Sequence, residues 1–470
     1  MKRSDYVRQR QAFGKRRRTT WRIILAVLVI LILAPIIYRL PPVYNRLSWR
    51  IDELRSRIVH AFNPPDEAIF SSEDQWEIEL MVQATLKALT PTFAPPTSTP
   101  QPNATPSPTL TPTITPTPLP EYKKLEGVVY VDQKGGYNLC ASANLTMALK
   151  FWGWPGTRYD VTKVIKPGIN DPNLEFYNRG KPDKNVMPSE MRDFVIEHTD
   201  FNVVIRYGGD IDLVKRFVAN GFPVMIEKGY YERSYAANWE ITWMGHYLFV
   251  TGYDESQKSF IVQDAYFPYG EEPRKNVLAD YETFIEGWRS FNYLFMVIYP
   301  PEYETQIFDL LGAWADNQWA NQHALDIAYE EGSYLEGIDK FFAWFNVGTS
   351  HVKLLEYDKA AFAYDNAFVL YDNLEGEEIK RPYRIMWYQT GPYWAYYYTG
   401  QYEKLIELAT HTLDTPDTGD TLEESLYWRG RAYLATGQNA KAIDDFLQAV
   451  WVNPNFVPGW EMLNQLGVSP

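Results

Sequence analysis

The chain has 470 residues, 46% hydrophobic and 22% charged, enough for two or three domains with cores of their own. Its single cysteine, Cys140, excludes an intramolecular disulfide and any thiolate-based zinc or iron–sulfur site. The net charge of −14 divides into +11 over residues 1–60, where 14 Lys/Arg face 3 Asp/Glu, and −25 over the remainder.

The basic end has a topological reading. Residues 1–20 form a basic tail, and from Ile23 to Tyr38 no charge interrupts an apolar run. Counting Trp21 to Leu40, with Arg22 and Arg39 snorkelling at the ends, the stretch makes about 20 residues or ~30 Å of helix, the thickness of a bilayer core. Lys2, Arg3, Arg8, Arg10 and the run Lys15 to Arg18 precede it, so the positive-inside bias puts the N-terminus in the cytoplasm. A cleaved signal peptide is the competing reading, but the stretch is long, contains Pro35 and lacks a small-x-small site after it. Residues 21–40 therefore read as an uncleaved, single-pass signal anchor, with everything after them extracytoplasmic.

Residues 41–90 contain two helical stretches of mixed polarity, suited to a membrane-proximal stalk. Residues 91–120, with 11 Pro and 9 Thr, cannot bury a core and read as an extended linker; at ~3 Å per residue it reaches roughly 90 Å at full stretch. Two glycosylation sequons, at Asn103 and Asn144, match a motif that often arises by chance, and the second falls inside an expected helix.

Residues 124–300 read as an α+β domain. A strand over Val128 to Val131 leads through Gln133 into a helix over Ala141 to Phe151, with Leu145, Ala148, Leu149 and Trp152 along one face. Helices over Ser189 to Glu197 and Ile211 to Ala219 follow. Strands are then expected at Pro223 to Glu227, Tyr247 to Tyr253, Phe260 to Val262 and Tyr293 to Tyr299. His198 ends a helical stretch and is explained as a cation near a helix C-terminus. His246 differs, because it opens a strand that turns through 254–258 and returns to Asp264. If Tyr253 pairs with Ser259, residue 248 faces 264 and 246 faces 266. His246 and Asp264 are then diagonal neighbours on one face, roughly 7 Å apart at the backbone.

With Cys140 at the first turn of a helix, this pair suggests a nucleophilic site: the helix terminus favours a thiolate, an imidazole takes the proton, and a carboxylate fixes the tautomer. Gln133, seven residues upstream, has an amide able to donate to an oxyanion. Each residue also has a plainer explanation: a buried small hydrophobe for the cysteine, a merely hydrogen-bonded strand histidine, a turn aspartate. Their joint order and placement favour the site.

The blocks Asp132-Gln133, Tyr137 to Cys140, Leu145 to Gly153, Gly245 to Tyr253 and Gln263 to Gly270 resemble the bacteriocin-processing type of papain-like cysteine peptidase. The likeness is strongest to stand-alone, anchored relatives on bacterial surfaces. Gly287-Trp288 followed by the strand Tyr293 to Pro300 fits that family's end, so the resemblance covers about 175 residues. It implies a papain-like fold with Cys140 as nucleophile, His246 as general base, Asp264 as its orienter and Gln133 as oxyanion donor. The family usually follows its cysteine with Gly-Pro, whereas Ala141-Ser142 stand here.

Residues 304–470 carry an internal repeat. Gly430, Tyr433, Ala442, Phe446, Ala449 and Pro454 reproduce the tetratricopeptide pattern, and Trp344, Val347, Gly348, Ala360 and Tyr364 fit the same template, with Gly and Ala 12 apart in both. A weaker copy lies between them at Tyr396, Gly400, Tyr402, Leu405 and Ala409, with loop insertions expected at 372–380 and 414–420. This predicts an all-α superhelix whose first helices, between Ile307 and Tyr329, cap the stack. Aromatic clusters such as Tyr393 to Tyr398 read as fillers between helices. An acidic helical stack suits a polypeptide partner; nucleic acid is excluded because phosphate binding needs excess Lys/Arg. No P-loop, HExxH or dinucleotide fingerprint occurs, and no cofactor or metal is expected. The expectation is a membrane-anchored extracytoplasmic cysteine peptidase with a protein-binding repeat domain. The alternative is a catalytically inactive surface scaffold in which both domains bind polypeptides.

Overall fold

The computed structural model describes residues 118–136, 138–234, 240–267, 272–374, 380–414 and 421–468. The expected tail, anchor and stalk, and the linker up to residue 117, lie outside the described residues. Among the described residues no helix is long and apolar enough to cross a membrane. Apart from 171–174, the described residues belong to one compact unit.

Seven strands form one sheet: β1 (Tyr122–Lys124), β2 (Asn202–Arg206), β3 (Val224–Ser234), β4 (Glu240–Asp254), β5 (Ser259–Gln263), β6 (Val277–Asp280) and β7 (Phe295–Tyr299). Their order is β2-β7-β3-β4-β5-β6, with β1 pairing with β4 off that path, and every pairing is antiparallel. Strand alternation divides the apolar residues between two faces. Met225, Tyr247, Phe249, Met296 and Ile298 pack with α1 (Cys140–Phe151), α2 (Arg158–Ile165) and, beyond the short α3 (Phe176–Arg179), α4 (Pro188–His198). Val224, Ile226, Leu248, Val250, Phe295 and Val297 pack with α5 (Ile211–Ala219), α6 (Tyr281–Arg289) and α7 (Glu304–Leu311). Helices on both sides explain why β7 is buried throughout, each large apolar side chain contributing about 1.5–3 kcal/mol.

Val128 to Val131 does not form the expected strand. Both edges of β5 are taken by β4 and β6, so the segment cannot pair with that strand. It is instead tied beyond the end of β5, where Tyr130 Oη donates to the Asp264 carbonyl (2.8 Å) and Gln133 N–H to that of Ala265 (3.0 Å).

The helical region comprises α8 (Asn317–Tyr334), α9 (Gly337–Lys353), α10 (Tyr357–Asp372), α11 (Gly391–Tyr398), α12 (Tyr402–Asp414), α13 (Glu423–Ala435), α14 (Asn439–Val452) and α15 (Val457–Gln465), each packing on the next. Two glycines set the helix spacing. A Cβ at Gly348 would lie 2.6 Å from the Tyr364 ring, and one at Gly430 would lie 2.7 Å from the Phe446 ring. The same close approach thus recurs in the α9–α10 and α13–α14 pairs, with Ala360 and Ala442 fully buried beside it.

Of the helices expected to cap the stack, α8 covers its end, Leu325 and Ala328 packing with Val347 of α9 and Ala363 of α10, and it also reaches the sheet. Ile307 and Leu311 of α7 and Ala320 of α8 enter the core on the sheet, while Ala324 of α8 joins that of the helical region. Tyr207, Trp243, Phe291 and Leu294 from the sheet region belong to the same core as Phe341, Tyr364 and Tyr388. α8 therefore bridges two regions that share buried surface, because apolar faces on both sides exclude water better together than apart.

Candidate active site

Asn138 holds a left-handed backbone (φ 49°), a conformation Asn tolerates better than most residues, and it turns the chain so that α1 begins at Cys140. Its side chain donates to the Lys184 carbonyl (2.8 Å), fixing the approach to the helix against the stretch before α4. Asn144, one turn on and fully buried, donates to the Cys140 carbonyl (2.9 Å) and the Tyr247 carbonyl (2.9 Å). The helix carrying the thiol is thereby fastened to the strand carrying the imidazole. Its amide is engaged in the interior, which leaves the sequon there out of reach.

The β4–β5 hairpin begins one residue out of the expected register, with Asp254 opposite Ser259 and Tyr253 opposite Phe260. A bulge between Val250 and Gly252 then restores it, so Phe249 faces Gln263 and the next position along is 248 against 264. The bulged Thr251 is buried and its hydroxyl accepts from Gln263 Nε2 (2.9 Å). His246 Nε2 consequently meets Asp264 Oδ1 at 2.8 Å. Asp264 also accepts from the Tyr266 N–H (2.9 Å) and Arg274 Nη1 (3.4 Å). With Nε2 committed to the carboxylate, Nδ1 is left for the sulfur.

Burial pushes the Cys140 thiol up, but the hydrogen bond and charge of His246 and N–H groups of Tyr247 and Ala141 outweigh it, so the thiol titrates below its ordinary range. Burial pushes His246 down, yet the charge and hydrogen bond of Asp264 carry it up to about 10. Burial likewise raises Asp264, while the His246 charge brings it below the ordinary carboxylate range. Between those limits the thiol loses its proton while the imidazole keeps one, so the arrangement can hold a thiolate–imidazolium pair.

Cys140, His246 and Asp264 are thus brought together. Gln133 lies beside Ala265 through its backbone, and its side chain bonds to none of the three; its buried Oε1 has no partner. Ala141 and Ser142, at the usual Gly-Pro positions, are buried in the α1 core. Three contributors escaped the sequence reading. Asn144 looked like an ordinary helix residue. Lys228 faces His246 across β3–β4, and burial lowers its ammonium while Asp264 opposes that. Tyr388 comes from the distant helical region. Only the Asn144 position, one turn after Cys140, carried a signal that spacing could have found.

Residues 125–296 match the model of the Peptidase_C39 like family. None of the curated proteins matches the chain. A solved structure described as a C39-like peptidase from Bacillus anthracis is 17% identical, with a TM-score of 0.28, covering 38% of this chain and 96% of that one. Xylellain, a cysteine protease from Xylella fastidiosa, is 18% identical with a TM-score of 0.27, covering 39% and 87%. The sheet region is, on the family match, a C39-peptidase-like domain, and the helical region from 304 onward lies outside it.

Proposed function

We propose that the protein is a cysteine peptidase in which Cys140, His246 and Asp264 cut peptide bonds. The observation that carries the reading is the 2.8 Å contact of His246 with Asp264 beside a thiol whose ionisation the same imidazole favours. The Cys140 thiolate adds to the scissile carbonyl carbon, moving its π electrons onto oxygen. Collapse expels the amine, which takes the proton of His246, and leaves a thioester. Water then attacks the thioester, giving its proton to His246, and collapse releases the acid and the thiolate. Gln133 is the side-chain donor to the oxyanion: turning its amide exchanges the unpartnered Oε1 for Nε2.

The helical region is a tetratricopeptide-type stack that binds a polypeptide, on the strength of its repeated Gly348–Tyr364 and Gly430–Phe446 approaches. Residues 21–40 anchor the chain, and the peptidase and helical regions lie outside the cytoplasm, on the strength of the apolar run and its basic flank. In the scaffold reading, favoured by Ala141-Ser142, the same fold binds peptides without cutting them.

The full chain in detergent, incubated with a mixed peptide library, is expected to yield new termini that vanish with Cys140→Ala. Equal cleavage by the variant would exclude Cys140 as the nucleophile, and binding without cleavage by both would favour the scaffold. Protease added to intact cells should remove the residues beyond the linker, and complete protection would refute the topology.

A further inference from the structure

The segment Arg384 to Thr390, between α10 and α11, lies far outside the C39-like residues, yet it is buried along its whole length. It is held on both sides of the site. Asn185, from the stretch that Asn138 ties to the approach of Cys140, donates to the Trp387 carbonyl. On the sheet side, Gln389 Nε2 donates to the Ser290 carbonyl (2.8 Å) and Arg384 Nη1 to Thr242 Oγ1 (3.2 Å).

Between these fastenings stands Tyr388, only 7% exposed. Its ring packs edge-on against Trp243 (5.7 Å) and Phe291 (5.8 Å). It also lies directly on the residue before His246: a Cβ built on Gly245 would come within 2.8 Å of its Cε1. The helical region thus supplies an aromatic side chain at a position where β4 has none. Burial, followed by the charge of Cys140, raises the Tyr388 phenol above its ordinary range, so the hydroxyl stays protonated.

We propose that the Arg384–Thr390 segment is a wall of the substrate cleft and that Tyr388 is its specificity-determining residue, setting the size of the acyl group that reaches the Cys140 sulfur. The proposal rests on the peptidase reading for its biological meaning, and its geometry is testable without any hydrolysis. A wall fixed by bonds to both sides, with its ring seated on a glycine, is a permanent part of the cleft. Access is therefore set by side-chain volume at 388, and substrate selection is shared between the sheet and helical regions.

Cys140 is the chain's only thiol, so alkylation reads this site alone. The full chain in detergent is treated with iodoacetamide and, separately, with N-pyrenylmaleimide, and the ratio of bulky to small rates is taken. Tyr388→Ala should raise that ratio by at least about tenfold, whereas Tyr388→Phe, which keeps the ring, should leave it within about twofold. An unchanged ratio in a folded Tyr388→Ala protein overturns the proposal. If that variant fails to fold, Tyr388→Leu, which keeps apolar volume but shortens the side chain, should still raise the ratio about threefold, and no rise overturns it equally. Failure of the peptidase reading registers elsewhere, as an iodoacetamide rate that His246→Ala does not change.

Discussion

Cys140, His246 and Asp264 on one side, and Lys166, Asp183, Glu190, Glu423 and Glu424 on the other, are both clusters of ionisable groups withdrawn from water. In the first, opposite charges alternate: thiolate, imidazolium, carboxylate, with Arg274 at 3.4 Å beyond. In the second, four carboxylates face one ammonium, Lys166, which pairs with Asp183 at 3.2 Å. The first cluster consequently shifts toward its charged forms and the carboxyl groups of the second toward their neutral ones. Burial followed by the neighbouring charge of Asp183 pushes Glu423 up to about 8, and burial with the charges around them also raises Glu190 and Glu424. Desolvation is common to both; the balance of counter-charge against like charge decides its outcome.

The second cluster also joins the regions. Glu190 lies on α4 and Glu423 and Glu424 open α13, with Asn453 Nδ2 3.0 Å from Glu423 and 3.4 Å from Glu190. Charged together, these carboxylates would drive α4 and α13 apart; protonated, they can stay.

This contrast can be broken in several ways, beginning with the largest effect. His246→Ala removes both the base and the counter-ion and should lower kcat by roughly 10²–10⁴, measured on any peptide the full chain cleaves, while leaving the fold intact by circular dichroism. Asp264→Asn should act mainly on the pH profile. The alkaline limb of kcat/KM, near 10 for the native protein, should fall toward the ordinary imidazole range, because the carboxylate that raises His246 is gone. A limb that stays near 10 would mean that Asp264 does not set the His246 ionisation.

A structural change comes next. At Gly430→Ala the new methyl meets the Phe446 ring at 2.7 Å, and at Gly348→Ala it meets that of Tyr364 at 2.6 Å. Each should cost about 1–3 kcal/mol by denaturant titration, with neither changing Cys140 alkylation. The smallest effect concerns the carboxylate cluster. The folded state holds protons on Glu190, Glu423 and Glu424 that the unfolded chain releases near the ordinary carboxylate range. Their contribution is therefore complete below about pH 4.5 and lost as pH rises through the raised folded values, near 8 for Glu423. Tm should decline across that interval, and Glu423→Gln should flatten the decline; an equally steep decline in the variant would contradict the assignment.

How far these features could be read in advance depends on the range of the interactions involved. α1 and the His246–Asp264 approach are local: one helix face and one hairpin carry them. Even there the hairpin turns one residue away from the expected register, and the agreement at 248/264 depends on the Thr251 bulge, which a Gly-flanked threonine does not announce. The contacts of Tyr388 with Gly245 and of Asn453 with Glu190 join residues more than a hundred positions apart, and no periodicity records them. The expected boundary between 300 and 304 marked a change of secondary structure, whereas the cores on either side of it are shared through Trp243, Phe291 and α8. The two repeat glycines were legible because helix spacing imposes their size locally.

The central claim is that His246 converts Cys140 into a thiolate at pH values where an ordinary thiol keeps its proton. Its most direct test is the rate of iodoacetamide alkylation of the full chain across pH, in the native protein and in His246→Ala. The native protein should react with an inflection below the ordinary thiol range and change again near pH 10 as the imidazolium is lost; in the variant both should give way to a single titration in the ordinary range. A native profile that already follows the ordinary thiol, and is the same in the variant, would contradict it.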